Sequence, residues 1–281
     1  MSATTCLVAS FNNRHIEVEC RTEWLAADLR RRLMHLAAAP GRPPSVILRV
    51  TLEEIEVSWI EVRDSTGRCE RGSIEYVLYH ARKWMTAAFV AAHPDLIWLH
   101  AAAASMDSAA VLLAGPAGAG KSTLLVQLVN RGWDLLADDA VAMRPDCGEA
   151  LPLPFSPEVR AAPGGFEQDS SDFLEQPKAL ATIAPDRVAS KPAAVVAMVF
   201  PEYARDITRP VITRLTVVSA AQVLATQTLG GRHGGGNIGE LFRLARQIPC
   251  YRLRYADSSA AAGELATLAR PQAQARSRAG A

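Results

Sequence analysis

The sequence lacks a surplus of charge, a cysteine framework and any long hydrophobic run. Thirty lysines and arginines oppose 29 aspartates and glutamates in 281 residues, which argues against a bulk nucleic-acid binder. The five cysteines form no CxxC pair, which argues against a disulfide scaffold and a structural zinc site. No apolar run could span a bilayer, and residues 1–13 lack a secretory signal pattern. We therefore expect a cytoplasmic protein that binds neither nucleic acid nor a membrane.

Hydrophobic periodicity divides the chain into two units and a tail. Residues 1–95 are predicted to form a small α+β unit, with helices at 23–38 and 73–93 and strands at 45–50 and 55–62. Residues 96–270 are predicted to form a larger core. Its predicted strands are 97–105, 109–114, 133–143, 193–201, 211–218 and 251–255, and its predicted helices are 121–131, 220–228 and 238–248. The small polar tail, 271–281, is predicted to be disordered.

The strongest local signal is a phosphate-binding loop. Residues 115–122 read Gly-Pro-Ala-Gly-Ala-Gly-Lys-Ser, which satisfies G-x-x-x-x-G-K-[ST] between an apolar strand and an amphipathic helix. Its glycines allow successive N–H groups to turn inward around an anion, next to the positive end of the helix. Lys121 can reach the β- and γ-phosphates, and the Ser122 hydroxyl can ligate Mg²⁺. The predicted ATP-binding residues are Gly115, Pro116, Ala117, Gly118, Ala119, Gly120, Lys121, Ser122 and Thr123.

A chance match to this motif is the alternative. The chain contains only four lysines (Lys83, Lys121, Lys178 and Lys191), so a lysine at the motif position is informative. The correct strand and helix on either side also favour a working loop.

Two adjacent carboxylates, Asp138 and Asp139, end the next apolar strand. An apolar strand that ends in carboxylates is typical of a Mg²⁺ site beside a phosphate loop. One aspartate could hold the metal while the other takes a proton from an attacking hydroxyl. An ordinary aspartate-rich turn is the alternative.

Two further side chains are candidates for the same site. His100 lies in an apolar run just before the loop, where a histidine is more often a core residue than a catalytic one. Arg232 lies in a glycine-rich stretch, 230–236, that either closes over a phosphate or serves as a linker.

These residues together resemble the catalytic core of HPr serine kinase/phosphorylase. That family has a histidine before a GxxGxGKS loop, then an Arg-Gly turn and a strand ending in Asp-Asp, which correspond here to His100, 115–122 and 131–139. Residues 236–242, Gly-Asn-Ile-Gly-Glu-Leu-Phe, resemble part of a later family signature. The resemblance covers residues 96–145 well and 230–245 weakly. It does not extend to the N-terminal unit.

The sequence also departs from the family pattern. The family usually has serine at the position of Ala117 and an acidic residue at that of Thr123. The chain is more similar to the HPr-kinase-related group found beside lasso-peptide and similar biosynthetic genes. It resembles that group in length, in its alanine- and arginine-rich composition and in the run LHAAA…AGPAGAGKST.

The resemblance implies a fold and a reaction. The implied fold is an α/β phosphate-loop core of the HPr kinase and phosphoenolpyruvate carboxykinase type, with a mixed sheet flanked by helices. The implied reaction is ATP- and Mg²⁺-dependent phosphate transfer to a serine of a precursor peptide or another protein. Ser122 and Asp138 would hold Mg²⁺, and Asp139 would act as the base. His100 would sit beside the aspartates, Arg232 would clamp the γ-phosphate, and oligomerisation is left open.

Three other functions fit parts of the pattern. A nucleotide-hydrolysing switch would use water as the acceptor, and a small-molecule kinase would use a free hydroxyl compound. A non-catalytic nucleotide-binding scaffold would not need two carboxylates beside the phosphate loop.

The N-terminal unit carries no phosphate or metal motif. Its first predicted helix contains Arg30, Arg31 and Arg32 in succession. We assign this unit to recognition of the acceptor. A solvated helix face that only packs on the core is the alternative, because runs of charge are usually exposed surfaces.

Overall fold

The computed structural model of the chain describes residues 4–33, 45–160, 178–230 and 238–279. It divides into two units, Met1–Pro94 and Asp95–Ala281. Both combine strands and helices, so the protein is a mixed α/β protein. Within the described residues, no helix is long and apolar enough to cross a membrane.

The first unit is a five-stranded sheet with two helices. Its strands lie side by side in the order β1-β2-β3-β4-β5, and only the β2–β3 pair is parallel. Helix α2 begins where the Ser73 hydroxyl accepts a hydrogen bond from Tyr76 N. The elements are β1 Thr5–Phe11, β2 Arg14–Cys20, α1 Glu23–Leu33, β3 Val46–Glu56, β4 Trp59–Asp64, β5 Cys69–Gly72 and α2 Ile74–Ala92.

The strand predicted at 55–62 is not continuous: residues 55–56 end β3 and residues 59–62 lie in β4. The chain turns back at Val57 and Ser58, so that Glu56 pairs with Trp59 across an antiparallel hairpin. Ser58 has a φ of +66°, a left-handed conformation that residues other than glycine adopt mainly in turns. The run of Val and Ile concealed this turn because it contains neither Gly nor Pro. The helix predicted at 73–93 is confirmed as α2, whereas the predicted residues 34–38 of the first helix lie outside the described part of the chain.

The second unit is built on a larger mixed sheet. Strands follow the order β6-β10-β11-β14-β8-β7-β9, with β16 beside the end of β14 and β15 beside β16. Its strands are β6 Ile97–Leu99, β7 Ala101–Met106, β8 Ala109–Ala114, β9 Asp134–Ala137, β10 Val141–Met143, β11 Glu149–Leu151, β14 Ala193–Tyr203, β15 Val211–Arg214 and β16 Cys250–Tyr255. A separate two-stranded antiparallel sheet is formed by β12 Glu158–Arg160 and β13 Lys178–Leu180. The helices are α3 Lys121–Val129, α4 Val217–Thr226, α5 Ile238–Gln247 and α6 Ser258–Ala279.

Strand register brings the candidate site residues to one edge of this sheet. Strands β8, β14 and β16 are parallel, and β7 runs antiparallel between β8 and β9. Ala101 of β7 pairs with Ala114 of β8, and Ala103 pairs with Ala137 of β9. The residues that follow β8 and β9 and the residue that precedes β7 therefore meet at the same end.

Two predicted strands are interrupted at that edge. The run 97–105 breaks at His100, whose backbone N–H donates to Gln227 O over 2.6 Å instead of continuing the ladder. The run 133–143 breaks after Ala137, where Asp139 adopts a φ of +69°. Hydrophobic runs do not reveal such breaks, because both breaks depend on local backbone turns or on contacts with distant residues.

The C-terminal region differs from its prediction. Helix α6 runs from Ser258 to Ala279, where the sequence analysis predicted no helix and a disordered tail from 271. Buried Ala261, Leu265 and Ala269 recur at every fourth position and form the face that packs on α3 and β8. Alanine, glutamine and arginine after Pro271 have high helix propensity, which favours its continuation.

Candidate functional site

The loop between β8 and α3 has the backbone of an anion nest. Gly118 and Gly120 have φ angles of +84° and +89°, which residues with a side chain rarely adopt. Ala119 N donates back to Pro116 O over 3.3 Å, closing a turn within the loop. Helix α3 begins immediately afterwards, so its unpaired N–H groups face the same region.

Lys121 is bent back over this loop. Its Nζ donates to Gly115 O at 2.8 Å and to Pro116 O at 3.0 Å, and the residue is 6% exposed. Burial lowers the pKa of Lys121 from 10.5 to about 8, although the carboxylates of Asp138 and Asp139 act in the opposite direction. The ammonium is thus buried at the loop with neutral carbonyls as its hydrogen-bond partners. A phosphate that enters the loop would supply a stronger, charged partner.

Ser122 and Asp138 form a pair at the start of α3. The Ser122 hydroxyl lies 3.0 Å from both carboxylate oxygens of Asp138. Asp138 is 2% exposed, and it follows directly on buried strand β9. A hydroxyl and a carboxylate are hard oxygen donors, and Mg²⁺ in phosphate sites takes one or two such protein ligands together with phosphate oxygens and water. The donor set therefore fits Mg²⁺.

Asp139 occupies a different environment from its neighbour. Its side chain is about half exposed, and its carboxylate oxygen Oδ1 lies 3.4 Å from His100 Nε2. The positive φ at Asp139 is uncommon for a residue other than glycine, and such conformations persist where surrounding contacts hold them. The left-handed turn separates the two aspartates: Asp138 is held against Ser122, and Asp139 stays accessible beside the histidine.

The structure brings together five of the predicted residues. Lys121, Ser122, Asp138, Asp139 and His100 all lie at the edge where β8 and β9 end. Among the described residues, no group of three or more His, Cys, Asp and Glu side chains could hold a metal by itself. The metal prediction consequently depends on the mixed set of Ser122, Asp138 and the phosphate oxygens of a nucleotide.

The predicted Arg232 lies outside the described residues, as does most of its glycine-rich stretch. The described chain before it runs beside β6, because Leu229 N donates to Trp98 O over 2.9 Å.

Sequence reasoning missed Tyr255, which holds the phosphate-binding loop through a hydrogen bond. Its hydroxyl donates to Ala119 O over 3.1 Å, and burial raises its pKa. A Cβ atom added to Gly120 would lie 1.9 Å from this hydroxyl oxygen, so glycine is needed there for space as well as for backbone conformation. The ring packs edge-on against Tyr203, with centroids 5.9 Å apart. The alternating strand pattern at 251–255 was visible, but nothing local linked it to the loop.

Lys178 is a second missed residue. Its positive charge opposes protonation of Lys121 and adds to the lowering of the pKa of that lysine. Its strand pairs with β12, and β12 contacts helix α3. Lys178 therefore adds positive charge on the side of α3, although the sequence contained no motif that marked it.

Comparison with solved structures finds the HPr(Ser) kinase/phosphatase from Coxiella burnetii. It is 16% identical to this chain, with a TM-score of 0.32, and the match covers 62% of this chain and 95% of that one. No protein-family model and no curated protein matches the chain.

Proposed function

We propose that the protein is a kinase that uses ATP and Mg²⁺ to phosphorylate a serine hydroxyl of a peptide or another protein. The observation that carries this proposal is the hydrogen-bonded pair of Ser122 and Asp138 with the accessible Asp139 next to it. A nucleotide-binding scaffold would need the loop alone. A phosphotransferase needs both a metal ligand and a proton acceptor, and two adjacent carboxylates in different environments provide both.

The loop and Lys121 would bind the β- and γ-phosphates. The N–H groups around Gly118 and Gly120 offer donors, and the buried ammonium of Lys121 would move from two carbonyls to phosphate oxygens. In the transition state, charge on the transferred group increases, and a cation held in a buried site stabilises it more strongly than one in water. Ser122 and Asp138 would hold Mg²⁺, which neutralises phosphate charge when it is bound.

Asp139 would act as the base. The acceptor hydroxyl oxygen forms a bond to the γ-phosphorus, the bond from that phosphorus to the departing ADP breaks, and the hydroxyl proton passes to the Asp139 carboxylate. His100, 3.4 Å from that carboxylate, would orient it. Half exposure of Asp139 supports an acceptor that approaches from solvent.

We further propose that the acceptor is a precursor peptide of a ribosomally made natural product, such as a lasso peptide. This part rests on the sequence resemblance. A hydrolase that uses water as the acceptor and a kinase of small hydroxyl compounds are the outcomes that would replace a peptide acceptor.

The test uses the full chain and ATP labelled in its γ-phosphate. We expect label to appear on serine peptides, to be absent from peptides with alanine at that serine, and to require added Mg²⁺. Lys121→Ala is the matched inactive variant. Release of labelled inorganic phosphate at one rate, with or without any peptide and with no labelled peptide, would overturn the kinase proposal in favour of a hydrolase.

A further inference from the structure

The turn between β3 and β4 exposes an unusual amount of apolar surface. We call residues 53–59 the hairpin tip. Val57 is 90% exposed, Trp59 52% and Ile55 42%. The other apolar residues of these two strands are more buried, and the fully buried ones are Leu48, Val50, Leu52, Ile60 and Val62. Three large apolar residues clustered within five positions form a patch of the kind that marks interaction surfaces, unlike single exposed residues.

Exposed glutamates surround this patch. Glu53, Glu54 and Glu56 all lie on the exposed end of β3. Glu54 accepts a hydrogen bond from Trp24 Nε1 over 3.3 Å, which brings another half-exposed aromatic ring to the patch. Across the ranges that the structure describes, none of these three glutamates forms an ion pair with a basic side chain within 4.0 Å. The hairpin tip is thus apolar at its centre and negative around it.

The arginines of α1 are a poor alternative surface. Arg30 pairs with Glu23 at 2.8 Å, and Arg31 and Arg32 both pair with Asp28 of the same helix. Their charges are therefore already compensated locally, whereas among the described residues Glu54 and Glu56 have no ion pair with a basic side chain.

We propose that the hairpin tip is a docking surface for a segment of the acceptor that carries basic side chains around an apolar one. Charge complementarity selects this partner: a lysine or arginine lays its aliphatic stem on apolar surface while its charged end reaches a carboxylate. An acidic segment would be repelled by Glu53, Glu54 and Glu56. That the docked partner is also the phosphate acceptor rests on the proposed function.

The first experiment measures direct binding to the full chain. The probe is a fluorescein-labelled peptide of lysine and leucine with one serine, and its counterpart has glutamate in place of lysine. We expect the basic probe to bind and the acidic one not to bind. Val57→Ser should weaken binding about tenfold through lost apolar contact. Val218→Ser, at a 54% exposed valine of α4, is the matched control and should leave binding unchanged.

A second variant tests the charge without altering the apolar surface. Glu56→Lys should weaken binding of the basic probe at low salt. This effect should become smaller as ionic strength rises, because exposed charges are screened. Glu56 is exposed, so folding of this variant should be preserved, as checked by thermal melting and by binding of a fluorescent ATP analogue.

Three results would overturn the proposal: equal binding of the basic probe by Val57→Ser and Val218→Ser, equal binding of both probes, or no binding together with self-association that Val57→Ser abolishes. The last would make the hairpin tip a contact between two copies. Failure of the proposed function is separate: binding that depends on Val57, together with phosphate release from ATP that no peptide accelerates, would refute the kinase and support the docking surface. Where transfer occurs, Val57→Ser should raise KM for the peptide and leave kcat unchanged.

Discussion

Charged side chains differ between the two units in their burial and in their partners. In the first unit, arginines pair with carboxylates at the surface: Arg30 with Glu23, and Arg21 with Glu19. Exposed pairs of this kind are each worth only about 0–1 kcal/mol. In the second unit, the Lys121 ammonium is buried and donates hydrogen bonds to the carbonyl oxygens of Gly115 and Pro116. Surface charges therefore compensate each other, whereas the buried cation is best matched by an anionic ligand.

Burial of Lys121 has a free-energy cost in the unliganded protein. A pKa of about 8, against 10.5 for the ordinary side chain, corresponds to about 3 kcal/mol of disfavoured protonation. Below pH 8 the ammonium is charged in both the folded and the unfolded protein, so the full cost is present. Between pH 8 and 10.5 only the unfolded protein keeps the proton, so this contribution to stability improves as pH rises. A bound phosphate would reverse the shift by favouring the charged form.

The largest effect in the second unit is expected from Lys121→Ala. Phosphate transfer should fall by about a thousandfold, because a buried cation is lost where charge develops in the transition state. Lys191→Ala, at an exposed lysine, should retain transfer. Transfer is measured with labelled ATP, and melting curves check the fold. If well-folded Lys121→Ala kept its full turnover, the phosphate-binding loop would have no part in the mechanism.

Substitution of the two aspartates should impair phosphate transfer in different ways. Asp139→Asn should lower kcat by about a hundredfold or more at any metal concentration, because an amide cannot accept the proton. Asp138→Asn should raise the Mg²⁺ concentration needed for activity at least roughly tenfold, with partial recovery in Mn²⁺. Metal titrations of kcat separate these outcomes. If metal restored both variants equally, neither aspartate would be the base.

Substitutions at the contact between Gly120 and Tyr255 should have effects of intermediate size. Gly120→Ala should impair nucleotide binding by about tenfold or more, because its Cβ meets the Tyr255 hydroxyl and its φ is +89°. Tyr255→Phe should lower the free energy of unfolding by about 1 kcal/mol through loss of the hydrogen bond to Ala119 O. Tyr203→Phe is the matched control. Chemical denaturation and titration with a fluorescent ATP analogue measure both effects. Unchanged nucleotide affinity in Gly120→Ala would show that the loop accommodates a Cβ atom at this position.

Nucleotide binding should take up a proton near the pKa of Lys121. Around pH 8 the free protein is partly deprotonated at this lysine, and a bound phosphate favours the ammonium. Calorimetry in buffers of different ionisation enthalpy should report uptake of a fraction of one proton, and affinity should fall as pH rises above 8. Lys121→Arg keeps a permanent charge and should abolish this uptake. Equal uptake in both proteins would assign the proton to another group.

The smallest effect is expected from the arginine run in the first unit. Replacing Arg30, Arg31 and Arg32 with glutamine should change peptide KM less than twofold, since each arginine is paired on its own helix. Peptide kinetics at low salt, where charge effects are strongest, provide the measurement. A large rise in KM would show that the arginines of α1 recognise the peptide, as the sequence pattern suggested.

The two units also differ in how far their structure could be predicted. Helix α2 and the strand–loop–helix around residues 109–129 follow from hydrophobic spacing and from glycine positions. The β3–β4 turn was missed because Val57 and Ser58 are not typical turn residues. The interruption of the strand at His100 was missed because it depends on Gln227, which is distant in sequence.

Sequence alone determined the phosphate-loop motif and the two aspartates after the next strand, because both are contiguous patterns whose chemistry is set by residue type and spacing. Only the tertiary structure decided which aspartate is buried against Ser122 and which lies beside His100. It also placed Tyr255 under a loop 136 residues earlier in the chain. The physical reason is that burial and pairing depend on strand register across the sheet, and register joins segments that carry no information about each other locally.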